Sequence, residues 1–60
     1  MCKSIYFNYL QNEMLNKAIE LKLPENVINS IGYCICIGDL EYISKITDSL
    51  EFKKWFNQLI

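Results

Sequence analysis

The sequence predicts an all-α protein, a small bundle or a set of stacked hairpins built from three to four short helices. Three observations carry that expectation. In residues 49–60, Phe52, Trp55, Phe56, Leu59 and Ile60 fall at i, i+3, i+4, i+7 and i+8, the spacing of one apolar helix face, with Lys53, Lys54, Asn57 and Gln58 on the other side. Near the start, Phe7, Leu10, Met14, Ala18 and Leu21 repeat the same three-and-four spacing. Between such stripes the chain has one proline, two glycines and no Gly/Ser linker, charge run or repeat, so the connections are very short and neighbouring helices run antiparallel. Residues 1–60 therefore read as one small helical domain.

The elements follow in order. Residues 4–23 read as the first helix, with Ser4 as its N-cap and an end imposed by Pro24, which pushes Leu23 out of the α region. Lys17 and Glu13, four apart, read as a surface ion pair, and so do Lys45 and Glu41. Pro24 suits the first turn of a second helix, and Glu25 complements the positive end of its dipole. Val27, Ile28, Ile31, Cys34 and Ile35 form its stripe, while Tyr33 and Ile37 fall on other sides, so this helix is apolar nearly all round. Residues 31–38 also alternate Ile, Tyr, Ile and Ile with Gly and Cys, a period-2 pattern, and a strand paired across a dimer axis is the alternative. Helix is preferred, because nothing else in the sequence offers a strand to pair with. Gly38 reads as a helix C′ residue and Asp39 as the cap of a third helix, with Leu40, Ile43, Ile46 and Thr47 inward. Asp48 and Glu51 have the form of a capping box for the last helix.

Composition restricts the function. The chain has 60 residues, of which 52% are hydrophobic, against an ordinary range of about 45–50%. A chain this short buries only about 60% of its unfolded surface, so apolar side chains are left over for self-association or a partner. Net charge is −1, with six lysines, seven acids and neither arginine nor histidine. That balance disfavours nucleic-acid binding, and the missing histidine removes the commonest acid–base group and metal ligand. Three cysteines, Cys2, Cys34 and Cys36, are too few for a disulfide framework. Asn8 and Gln11 interrupt the apolar start too early for a signal peptide, and the longest uncharged stretch, residues 26–38, is too short to span a bilayer. A cytoplasmic protein is expected. The Ile-, Asn-, Lys- and Tyr-rich composition fits an AT-rich genome, bacterial or phage.

No constellation for catalysis stands out, and no enzyme, metal or cofactor is expected. On a helix, Cys34 and Cys36 point about 200° apart and cannot chelate together, so both read as small buried hydrophobes. Ser4, Ser30, Ser44 and Ser49 have no histidine to activate them. The last helix, with Trp55 and Phe56 opposite two lysines, has a weak membrane-surface pattern, but its aromatics are better placed in the core.

Three short stretches carry resemblances. Residues 18–31, with apolar Ala18, Leu21, Leu23, Ile28 and Ile31, resemble a helix-turn-helix, which implies a DNA-binding transcriptional regulator. Lys22 stands where that family has glycine, and the would-be recognition helix offers Glu25, Asn26, Asn29, Ser30 and Tyr33 but no cation. Residues 14–31 resemble the helical hairpin of small Firmicute sporulation regulators, which implies docking onto a larger protein. Residues 38–46 are similar to the second helix of an ankyrin repeat. The reading adopted is a small non-enzymatic regulator, a homodimer, that binds a larger protein through an apolar helical surface and modulates or inhibits it; a helix-turn-helix DNA reader is the alternative. The contact residues expected are Tyr6, Tyr9, Tyr33, Ile37 and Tyr42, which fall off the main core stripes and of which the tyrosines join area to a polar tip.

Overall fold

A computed structural model of the protein describes residues 4–59. They form four α-helices, α1 (Ile5–Glu20), α2 (Glu25–Tyr33), α3 (Ile37–Ile46) and α4 (Leu50–Leu59), and no strand occurs among them. The all-α class and the short turns expected from the sequence are what the chain adopts. α1 packs against each of the other three helices, α3 touches both α2 and α4, and α2 and α4 do not meet. The radius of gyration, 10.4 Å, equals the roughly 10.4 Å of a compact chain of this length. No described helix is long and apolar enough to cross a membrane.

The stripes read from the sequence meet in one core. α1 contributes Phe7, Leu10, Met14 and Ala18, α2 and the residue after it Ile31 and Cys34, α3 Leu40 and Ile43, and α4 Phe52 and Phe56. Trp55 and Leu59 lie half-buried at its edge, whereas Ile60 and Cys2 fall outside the described residues. The Trp55 ring sits 5.4 Å from that of Phe52, and the Lys17 ammonium lies 5.7 Å from its centroid.

The boundaries differ from expectation, each for a local reason. Ser4 does cap α1, accepting the Phe7 N–H at 3.1 Å. The helix ends at Glu20 rather than near Leu23, because Lys22 turns left-handed (φ 57°). The Leu23 N–H then reaches the Ala18 carbonyl at 2.9 Å and the Lys22 N–H that of Ile19 at 3.1 Å, which is a Schellman closure. Pro24 stands before α2 as its extended N-cap (φ −55°, ψ 148°), and its carbonyl receives the Val27 and Ile28 N–H groups.

Residues 31–37 are neither one helix nor a strand. α2 stops at Tyr33, residues 34–36 form a connector extended at Cys34 and Cys36, and α3 begins at Ile37. A continuous rod would carry apolar side chains on every side with nothing to cover them. The break folds α3 back, so that Ile31, Cys34, Leu40 and Ile43 share one core and Ile35 is left exposed. Gly38 is accordingly not a C′ residue but the second residue of α3, and Asp39 is not its cap. The cap position is held by Cys36, and Asp39 reaches back so that its Oδ2 accepts the Ile35 N–H at 3.2 Å. Ile46, expected inside, is 54% exposed; Ser44 takes the inner position, its hydroxyl donating to the Glu41 carbonyl at 2.7 Å. The cap of α4 is Ser49 rather than Asp48, since the Ser49 Oγ accepts the Phe52 N–H at 3.1 Å. The ion pair on α1 is Lys17 with Glu20 (3.0 Å), one turn further along the helix, rather than with the expected Glu13, one turn back. Lys45 and Glu41 form no ion pair among the described residues.

Candidate functional site

α2 and α3 are joined by three residues, so they must return antiparallel, and the seam between them opens toward solvent at the connector end. Ser30, Tyr33 and Cys34 form one wall there, at i, i+3 and i+4. Asp39, Tyr42 and Ile43, with the same spacing, form the other. The cleft between them has a volume of about 270 Å³. Its floor is apolar, from Cys34 and Ile43, which are both buried. Its rim is aromatic, with Tyr33 84% and Tyr42 62% exposed.

Hydrogen bonds hold the cleft's shape. The Gln11 side chain, from α1, donates to the Ile31 carbonyl at 2.9 Å and the Gly32 carbonyl at 3.4 Å, which supplies partners for the open C-terminal end of α2. The Cys34 thiol donates to the Ser30 carbonyl at 3.2 Å. The Ser30 hydroxyl donates to the Asn26 carbonyl at 2.8 Å. Burial pushes the Cys34 thiol above its ordinary range, and the Asp39 carboxylate and then Cys36 push it the same way. Cys34 is thus held as a neutral thiol in the wall of the cleft. Cys36 is half-buried, both thiols are free, and no cluster of three acidic or cysteine side chains among the described residues could hold a metal ion.

The expected contact residues divide into three groups. Tyr33 and Tyr42 come together on the cleft. Tyr6 and Tyr9 are half-exposed on the first turns of α1, beside Ile5, and do not line it. Ile37 departs from the expectation, since as the first residue of α3 it is drawn against the core and is only partly accessible. Sequence reading missed Ile35, Ile46 and Leu50, all well exposed. Ile46 had a signal, because it lies one turn beyond Tyr42 on the same face of α3.

The helix-turn-helix resemblance can be judged on the same geometry. Lys22 adopts the left-handed turn that the family makes with glycine. The outward residues of α2, however, are Glu25, Asn26, Asn29 and Tyr33, which present no positive charge to a phosphate backbone. Against known protein families, curated proteins and solved structures, the chain matches none. The cleft thus combines an apolar floor, two exposed phenols and one carboxylate.

Proposed function

We propose that the protein is a small non-enzymatic regulator that docks onto a larger protein through its exposed helical surface and so modulates or inhibits that partner, acting as a homodimer. The observation that supports this reading best is the pair of exposed tyrosines, Tyr33 and Tyr42, on either side of an apolar cleft. Aromatic side chains that join large area to a hydrogen-bonding tip are the residues on which protein interfaces concentrate their binding energy. Nine large hydrophobic side chains are exposed among the described residues, Ile5, Tyr6 and Tyr9 on α1 included, and they offer apolar area to a partner.

The test is photo-crosslinking in cells with a benzophenone amino acid placed at residue 33 or 42, compared with one placed at Asn12 on the exposed side of α1. Docking through the cleft gives the same crosslinked partner from both tyrosine positions and none from residue 12. Retarded migration of duplex DNA by the purified protein, lost on raising salt, would instead favour the helix-turn-helix reading.

A further inference from the structure

We infer that the seam between α2 and α3 is a groove for a short amphipathic helix with basic ends, presented by the partner protein; this rests on the docking reading above. A second depression, of about 440 Å³, lies along the same seam, lined by Pro24, Asn26 and Val27 on one side and Ile46, Thr47 and Asp48 on the other. The two depressions share no lining residue but lie over the same faces of α2 and α3. Along α2 the wall runs Asn26, Ser30, Tyr33, at i, i+4 and i+7, and along α3 it runs back through Ile46, Tyr42 and Asp39 with the same intervals reversed. From Asn26 to Cys34 the groove extends roughly 12 Å, at about 1.5 Å per residue, which is the reach of two helical turns. That is the footprint over which a docked helix places anchors at i, i+4 and i+7.

Charge selects the occupant. Between Lys22 and Lys45 the chain carries Glu25, Asp39 and Glu41 and no cation. Asp39 stands in the first depression and Asp48 in the second; among the described residues no lysine lines either depression, and neither aspartate forms an ion pair. Asp39 spends one oxygen on the Ile35 N–H, which leaves the other for a ligand. Lys45 and Lys53 face a different depression, between α3 and α4. An apolar groove with a carboxylate at each end fits a helix whose middle is apolar and whose ends carry Lys or Arg, and it repels one with acidic ends. The exposed tyrosine rings at the first end add a surface on which a cation can rest.

Two stapled helical peptides of about fourteen residues test this, both with leucine at i, i+4 and i+7, one with lysines at its ends and one with glutamates. Amide resonances of the full-length protein are followed in titrations. The inference expects the lysine peptide to move Ser30, Tyr33, Asp39, Tyr42 and Ile46, to bind about tenfold tighter than its acidic twin, and to lose that advantage with D39N/D48N. Asp48 is exposed in the turn before α4, whereas Asp39 is half-buried in the first turn of α3 and accepts the Ile35 N–H, so the melting temperature of the variant is measured alongside. Equal affinity of the twins for the groove overturns the basic-helix assignment but leaves docking at the seam standing. Shifts confined to α1 or α4, or binding of neither peptide, overturn the groove; the crosslinking result from residues 33 and 42 then decides docking separately. Groove resonances that move with protein concentration alone make the occupant a second copy of this chain and overturn the inference too.

Discussion

Two backbone positions hold residues that local physics does not favour. Lys22 sits at φ 57°, where an L side chain is strained by about 1 kcal/mol, in the C′ slot that glycine fills at least cost. Gly32, in contrast, lies inside α2 with a normal helical backbone, and a Cβ added there would meet nothing within 4 Å. Lys22→Gly and Gly32→Ala are each expected to stabilise the protein, by roughly 0.5–1 kcal/mol in urea unfolding. A loss of stability on Lys22→Gly would mean that the αL turn is not the one formed in solution. Cys34 gives a second expectation at this scale. Its thiol is raised in the folded state, so the stability it contributes is complete below the ordinary thiol value of 9.0 and is lost as pH climbs through the higher folded value. Wild type should therefore lose stability above about pH 9 more steeply than Cys34→Ala, whose alkaline limb is flatter. With iodoacetamide near neutral pH, peptide mapping should find Cys36 modified before Cys34, since the latter is buried and protonated.

At the level of the helices, what could be read from the sequence was what one face of one helix decides. Phe7, Leu10, Met14 and Ala18 are buried on α1 as their spacing requires, and Phe52 and Phe56 on α4 likewise. The breaks were harder, because they depend on residues far away. Nothing local in residues 31–37 marks Tyr33 as the last helical residue; the connector exists because Leu40 and Ile43 must reach the same core as Ile31. Ile46 and Ser44 exchanged places for a related reason, since the rotation of α3 is set by what α1 and α4 leave open. Of the cleft, Tyr33 and Tyr42 were legible as residues off the stripes, whereas their meeting across a seam was not. The cap of α4 shows the limit in miniature. Asp48 and Glu51 have the right spacing, but Ser49, one residue later, takes the Phe52 N–H. Ser49→Ala should cost about 1 kcal/mol of stability and Asp48→Ala no more than about 0.5 kcal/mol, as read from thermal melts. The reverse order would restore the capping box and shift the start of α4 by a residue.

For the molecule as a whole, the amount of surface is that of an ordinary monomer, and several large apolar side chains share it. The accessible area is 4224 Å², close to the roughly 4,100 Å² that scaling gives a monomer of this mass. The chain has therefore compacted as far as a monomer does and still leaves Ile5, Tyr33 and Leu50 largely in water. A standard interface of about 800 Å² per partner would cover roughly a fifth of that area, enough for one apolar face. Two kinds of association are then separable by salt. Pairing of two copies through apolar side chains is strengthened by sulfate and is little affected by screening. Docking of a basic helix against Asp39 and Asp48 weakens as ionic strength rises. Sedimentation velocity over a wide concentration range should accordingly show the mass rising from 7.1 kDa toward twice that value, with the transition moved to lower concentration by sulfate. A single 7.1 kDa species at every concentration would remove the homodimer from the proposed function and leave the α2–α3 seam to a foreign helix alone. Dimerisation that dissolves in salt would point instead to one copy's lysine-bearing α4 face seated on the acidic seam of the next, a head-to-tail contact that does not close on itself.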